Sequence, residues 1–589
     1  MKKLFNILKE KLAPLSSKLQ SLKSILPQKK PHSEKYYKRI AFLNKYSLIF
    51  HFLLACLLIL AVETISRRDF VSAITFISNH TLAFLYNALI IFASLSLVYL
   101  TKYRTQMRIL ISGLWIFLGT VNGLILSNRV TPFSYTDLKC LPDLFAMQNT
   151  NYFTAEEATM VVSVVVAFFV ILGLLFAKGP RYQGKRHTVL GPVSIAALIL
   201  IGLPITTQAA QSSNILASYF ANIAQGYSDY GFVYGFSTSV VGRGMDKPED
   251  YSEETVDAIN TLVDSASSPT TVSTGSEPNI ICVLLESFCD PYEVNFLNMS
   301  EDPIPNFHNL EANYSTGYLT VPVVGAGTAN TEFEVLTGMS MQYFGTGEYP
   351  YKTILKQTDC ESIADDLSQI GYGTHVVHNN TATFYSRNNA FSMMGFDTFT
   401  SKECMNISQY TPNGNWPTDD VLVQETVKAM NATENQSDFV YTITVEGHGD
   451  YPTEKILENP DILVSGAADE ASNNQWEYYV NMIHEVDDFI GDLITAVDRR
   501  GEDTIIVFFG DHLPTMGLTD ADMKSGDIFK TKYITWNNMG LAKKDADLTA
   551  YQLLAHITDQ TGIHEGTMFR YHQTQTASET YLSGLEDLQ

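Results

Sequence analysis

Glu286 follows the apolar run Asn279 to Leu285, and Asp511-His512 follows Thr504 to Phe509 and Gly510. Two carboxylates and an imidazole can hold a divalent cation and leave coordination positions open for a reactant. A hydroxyl nucleophile is offered by Gly325-Ala326-Gly327-Thr328, where glycines lead into a turn and Thr328 opens a helical pattern. The orphan amides and dipole of such a terminus favour an anion, either a phosphate in transfer or a threonine alkoxide on a metal. The alternative is that Thr328 caps the helix, which taken by itself is the simpler reading.

A second set sits in His378-Asn379-Asn380-Thr381-Ala382-Thr383-Phe384-Tyr385-Ser386-Arg387. Arg387 can fork onto a phosphate, and Phe384 or Tyr385 can pack on a small polyol. Core packing of the two rings, and an ordinary salt bridge for Arg387, are the alternatives. His448, between two glycines and before Asp450-Tyr451-Pro452, suits a phosphate or general-acid contact better than a core histidine.

Four short runs rich in β-branched or aromatic residues must position these groups: Asn279 to Leu285, Thr374 to Val377, Phe439 to Val445 and Thr504 to Phe509. Helical patterns lie between them: Cys360 to Ile370 ending at Gly371, Asp419 to Met430 with Thr418 as its cap, and Asn474 to Arg500 closed by Gly501. Alternation of strand and helix predicts a mostly parallel sheet sandwiched by helices, with ligands gathered beyond the carboxyl ends of the strands. Each of the four strands delivers a polar residue there: Glu286, His378, Glu446 to His448, and Asp511-His512.

Upstream, five apolar stretches of about 18 to 21 residues, enough to cross a bilayer as helix, run over 46–64, 81–101, 109–127, 158–177 and 188–206. Lys and Arg cluster in 1–45, after the second stretch and after the fourth, which places the N-terminus in the cytoplasm and everything after 206 outside it. Residues 1–206 carry 23 Lys and Arg against 8 Asp and Glu, and the remainder 16 against 55. So acidic an ectodomain excludes a nucleic-acid partner and is suited to staying solvated. The expected organisation is a basic cytoplasmic segment 1–45, whose first 26 residues suit an amphipathic helix or a solvated tail. A five-helix transmembrane domain 46–206, an extracytoplasmic linker 207–278 and a catalytic domain 279–589 follow. No Cys-x-x-Cys pair is present, so neither a zinc cluster nor a disulfide framework is indicated, and a Cys360–Cys404 bridge has no support.

The residues resemble those of the lipoteichoic acid synthase family, membrane enzymes with five spans and an extracytoplasmic α/β domain of the alkaline phosphatase and sulfatase type. The resemblance rests on Glu286-Ser287-Phe288, Gly327-Thr328 with Glu332-Phe333, and His378 with Phe384, Tyr385 and Arg387. It extends to Met394-Gly395-Phe396-Asp397, Glu446-Gly447-His448-Gly449, Gly510-Asp511-His512 and Thr131 to Leu138. It implies one manganese ion, or magnesium in its place, on Glu286, Thr328, Asp511 and His512. It also implies attack by Thr328 on phosphatidylglycerol, and transfer of glycerophosphate to a polyglycerophosphate chain on a glycolipid or diacylglycerol-linked acceptor. His378, Asn380, Phe384, Tyr385, Arg387 and His448 would line the substrate site. Asn380 stands where the family has an acidic residue and Tyr385 where it has a tryptophan. These departures leave phosphoethanolamine as a rival head group and a teichoic acid primase as a rival activity. An inactive polymer-binding sensor is the alternative of another class, and a sulfatase is set aside because Thr328 is not in a Cys/Ser-x-Pro-x-Arg setting.

Overall fold

A computed structural model describes residues 33–126, 131–139, 155–179, 181–182, 187–213, 215–217, 220, 223–242, 244–245, 247–248, 251–266, 277–345, 347–433 and 436–589. The chain divides into two units, Met1–Ala55 and Cys56–Gln589. The amphipathic helix expected over the first 26 residues lies outside the described residues, and the first unit shows the helix Glu34–Lys45 and the opening of Ser47–Ser66.

Apolar sequence and the need to satisfy every backbone amide internally make helices of the predicted spans. They appear as Ser47–Ser66, Thr81–Ser96 continued to Leu100 as 3-10 helix, Arg104–Ile125, Ala155–Lys178 and His187–Ser212. Among the described residues four are long and apolar enough to cross a membrane. Ala155–Lys178, the fourth expected span, counts only from Val165, because side chains before that fall outside the description.

Among the described residues, the segment expected as a linker holds the end of His187–Ser212 and three further helices, Ile223–Tyr230, Phe232–Val241 and Glu253–Ser265. Phe232–Val241 is caught by the apolar helices. Glu63 accepts its Phe232 amide at 2.8 Å and Asn87 accepts its Tyr234 amide at 2.7 Å, so two orphan donors of the helix start are satisfied inside an apolar setting. Gly231 precedes it with φ +87, and a Cβ there would lie 3.0 Å from both Asn87 and Glu63.

The C-terminal α/β domain is built on an eight-stranded sheet: β1 (Asn279–Leu285), β2 (Thr316–Thr320), β3 (Gly373–His378), β4 (Thr398–Ser401), β5 (Asp438–Ile443), β6 (Thr504–Gly510), β7 (Lys530–Asn537) and β8 (Leu548–Thr549). Their order across the sheet is β8-β2-β7-β6-β1-β5-β3-β4, and only β7 runs against its neighbours. The four predicted strands are the contiguous parallel centre, β6-β1-β5-β3.

β1 shows why the centre reads as an uninterrupted apolar run: all seven residues are buried, because both faces of the sheet are covered. Ile281, Val283 and Leu285 point into a core shared with the helix Glu470–Asp498, and Ile280, Cys282 and Leu284 into a core shared with Thr328–Thr337. Each such side chain is worth about 1.5–3 kcal/mol of burial. The long helix begins at Glu470 rather than at Asn474, capped by Asp469, which accepts from Ser472 N. Asp420–Met430 has Asp419 as its N-cap residue without a side-chain cap, so Thr418 does not play the part expected of it. All described cysteines, Cys360 and Cys404 included, are free.

Candidate active site

Because β6, β1, β5 and β3 are parallel neighbours, Asp511-His512, Glu286, Glu446 to His448 and His378 all leave the same edge of the sheet. The turn after β1 fits between its neighbours because glycines flank it. A Cβ at Gly447 would lie 2.3 Å from Glu286 O, and one at Gly510 2.4 Å from Phe288 O. Ser287 takes φ +55 in this turn, held by its amide donating to Asp511 Oδ1 at 2.8 Å and by Tyr479 OH donating to its carbonyl at 2.8 Å.

Ligand atoms of Glu286, Asp511 and His512 all lie within 4.8 Å of one another, and all three residues are buried. His512 Nδ1 sits 3.0 Å from Leu513 O; since a carbonyl only accepts, Nδ1 carries the proton and Nε2 turns its lone pair to the carboxylates. Nε2 is 3.3 Å from Asp511 Oδ2 and 3.7 Å from Glu286 Oε1. Burial and the neighbouring Glu286 push the Asp511 carboxyl up, and although burial alone would lower His512, the two carboxylates hold it above its ordinary value. Asp511 Oδ2 is buried with no hydrogen-bond partner. An orphaned carboxylate oxygen beside a second carboxylate and an imidazole lone pair fits a divalent cation, which would remove the like-charge cost of the cluster.

Thr328 joins the same cluster. It is the first residue of the helix Thr328–Thr337, and Gly327, with φ +103, is the N-cap residue. The hydroxyl is therefore not spent on capping: Oγ1 donates to Glu286 Oε2 at 3.2 Å and lies 3.4 Å from His512 Nε2. Thr331 Oγ1 donates to Asp511 O at 2.9 Å and ties the helix to the loop after β6.

His378 Nδ1 donates to Ile443 O at 2.9 Å, and its Nε2 is buried without a partner. Burial first, then the charge of Arg387, hold this histidine well below its ordinary value. It is neutral, and Nε2 offers a lone pair able to take a hydrogen bond from a hydroxyl. Glu446 anchors the next loop: its Oε2 accepts Asp419 N at 2.9 Å, while Asp419 accepts Val445 N at 2.9 Å and Glu446 N at 3.2 Å. Burial, with Asp419 beside it, pushes the Glu446 carboxyl up. His448 is half-buried with Nδ1 turned inward and unpartnered, and burial holds it below its ordinary value.

Arg387 makes the salt bridge that was its alternative reading. Its Nη2 and Nε donate to Glu332 Oε1 at 2.6 and 3.1 Å, and both residues are buried. Two of its three guanidinium nitrogens are therefore taken by Glu332 rather than open to a phosphate. Tyr385 and Ser386 are consecutive left-handed residues, φ +54 and +62, a strained pair that turns Tyr385 onto Tyr349 with ring centroids 5.7 Å apart. Phe384 lies 4.5 Å from Tyr385, ring to ring. Asn380 Oδ1 accepts the Thr381 amide at 2.7 Å, a local turn.

Three residues beside the site were not singled out in the sequence: Glu332 as partner of Arg387, Tyr349, and Trp416, whose ring centroid is 4.3 Å from that of His448. Glu332 belongs to the quoted motif and was the legible one.

Residues 278–563 match the family model described as Sulfatase. A Rhizobium meliloti protein named for cyclic beta-1,2-glucan modification is 27% identical over 354 residues, 57% of this chain and 53% of that protein. The lipoteichoic acid synthase of Staphylococcus saprophyticus is 24% identical over 242 residues, 40% of this chain and 35% of that protein. The chain thus spans about half the length of the first relative and about a third of the second. Among solved structures, Streptococcus pyogenes phosphoglycerol transferase GacH in complex with sn-glycerol-1-phosphate superposes with TM-score 0.51 at 20% identity, covering 59% of this chain and 94% of that one. That likeness speaks for the fold.

Proposed function

We propose that this chain, whose residues 278–563 form a sulfatase-family domain, is a multi-pass membrane transferase that moves glycerophosphate from phosphatidylglycerol to a hydroxyl acceptor outside the cytoplasm. The observation that carries this reading is the Thr328 hydroxyl, 3.2 Å from Glu286 Oε2 and 3.4 Å from His512 Nε2 at a helix N-terminus it does not cap.

Glu286, Asp511, His512 and the Thr328 oxygen would hold manganese, or magnesium, which when bound lowers the cost of the threonine alkoxide and neutralises phosphate charge. Thr328 Oγ forms a bond to phosphorus as the bond to the diacylglycerol oxygen breaks, and the proton lost by the threonine ends on diacylglycerol. The amides at the start of Thr328–Thr337 face the anion. In the second half an acceptor hydroxyl oxygen bonds to phosphorus as the Thr328 Oγ–phosphorus bond breaks, its proton returning to Thr328, and the neutral Nε2 of His378 can take a hydrogen bond from that hydroxyl or from glycerol. His448 contacts the phosphate, while Tyr385 and Phe384 pack against the polyol. The acceptor in this reading is a glycerophosphate chain on a glycolipid or diacylglycerol anchor, with priming of that chain as the variant activity.

Phosphoethanolamine is the competing head group. Purified protein incubated with phosphatidylglycerol or phosphatidylethanolamine, then digested and weighed by mass spectrometry, decides between them. A glycerophosphoryl mass on the Thr328 peptide is expected; a phosphoethanolamine mass changes the head group, and no adduct from either lipid removes the mechanism.

A further inference from the structure

His448 is held by a turn that comes from elsewhere in the chain. Thr411 N donates to Trp416 O at 2.8 Å and Trp416 N to Thr411 Oγ1 at 3.2 Å, closing residues 411–416 on themselves, and Tyr410 and Pro417 bridge its base. Three side chains of this turn grip the two residues after His448. Trp416 Nε1 donates to Gly449 O at 3.0 Å, Asn413 Nδ2 to Asp450 O at 3.1 Å, and Asn415 Nδ2 to Asp450 Oδ2. Asp450 sits at φ +86, a conformation that a residue with a side chain keeps only when its surroundings impose it.

Trp416 is buried, yet it belongs to neither of the two apolar clusters that cover the faces of the sheet. A buried indole normally contributes to a core. Here its ring lies against the imidazole of His448, centroids 4.3 Å apart and planes at 44°, and its N–H is spent on the following carbonyl. The turn is itself fixed at its far end, where Asn379 Nδ2 donates to Thr418 O at 3.1 Å and Asp419 accepts Val445 N at 2.9 Å. The bracing therefore runs from the end of β3 through Thr418 and Trp416 to His448.

We infer that Trp416 is a positioning residue for His448: its indole covers one face of the imidazole and its N–H fixes the Gly449 peptide, so the ring meets the transferred phosphate from one direction. This rests on the reading of His448 as a phosphate contact. The effect of Trp416 passes through His448, which distinguishes it from ordinary packing.

A double-mutant cycle on the detergent-solubilised, metal-loaded full chain tests this, with inorganic phosphate binding by calorimetry and diacylglycerol release from phosphatidylglycerol as readouts. Trp416→Leu is expected to weaken both by about tenfold with the melting temperature nearly kept. Trp416→Phe, which retains a ring but loses the N–H, falls by about threefold. In a His448→Ala background Trp416→Leu costs less than about twofold more. Losses in phosphate binding that multiply independently, or a wild-type protein that binds no phosphate, overturn the inference. Coupled phosphate binding without diacylglycerol release sinks the phosphatidylglycerol reading while leaving Trp416 in its role. If Trp416→Leu lowers the melting temperature, the decision falls to Trp416→Phe, whose loss must likewise vanish in the His448→Ala background.

Discussion

Ser287 and Asp511 divide the work of one carboxylate: the Ser287 amide donates to Oδ1 at 2.8 Å, and Oδ2 is left buried with no partner beside Glu286 and His512. Asp511→Asn keeps an oxygen for Ser287 and puts an amide or a neutral oxygen where a cation would sit. Manganese should raise the melting temperature of the wild type in proportion to the logarithm of its concentration and leave Asp511→Asn unmoved. Differential scanning fluorimetry with and without chelator checks this; equal shifts in both proteins would remove Asp511 from metal binding.

Thr328→Ala should abolish the covalent adduct and lower turnover by at least about a thousandfold, since the nucleophile is removed. Because Gly327 is the N-cap residue, the stability lost should be that of the one buried hydrogen bond to Glu286, about 1 kcal/mol. Mass spectrometry of the trapped intermediate and a thermal melt are the two measurements; full turnover in the variant would end the proposed mechanism.

Glu332→Ala strands the Arg387 guanidinium, which is 2% exposed. Removing one partner of so buried a pair costs about 3–5 kcal/mol, or on the order of 10 °C in a domain of this size. The double change Glu332→Met with Arg387→Leu should recover much of that stability while leaving turnover low. A double variant no more stable than Glu332→Ala would mean that the pair is not the source of the loss.

The pH dependence of stability carries the signature of His308, in the helix Pro305–Asn313. Burial lowers the His308 pKa, but hydrogen bonds and charge from Asp290 and Asp302 outweigh it and hold the group up at about 9, against an ordinary 6.5. A pKa raised on folding contributes stability that is complete below the unfolded value and fades as pH climbs through the folded one. Wild type should therefore lose stability relative to His308→Gln between pH 6.5 and 9, measured as the difference in urea midpoints. A difference that is flat across that window would remove His308 from the account.

The central strands were legible because burial on both faces forces an unbroken apolar run, and the polar residue after each run marks the end. The outer strands escaped notice for the same reason reversed. In β2, Gly317 stands where a Cβ would fall 1.9 Å from Ala546 O, and in β7 the residues Lys530 and Lys532 interrupt the pattern. Thr328 was ambiguous in sequence because capping and nucleophilic geometries use the same residue at the same helix end; the structure gives the N-cap position to Gly327, which removes the capping reading. Trp416 could not be read at all, since it reaches the carbonyl of Gly449 from 33 residues away across a fold.

The loops on either side of the helix Thr328–Thr337 are tied to the apolar helices by more than the chain itself. Thr131 Oγ1 donates to Val324 O and Ser134 Oγ to Gly347 O, both at 3.5 Å, and Gly345 N donates to Gly244 O at 2.9 Å. If the substrate is a phospholipid, as proposed above, lifting it from its leaflet costs about 0.8 kcal/mol for every methylene exposed, and the site would have to be held at the height of the head groups. Thr131 and Ser134, which follow the helix Arg104–Ile125, provide a mooring independent of the peptide between 246 and 276.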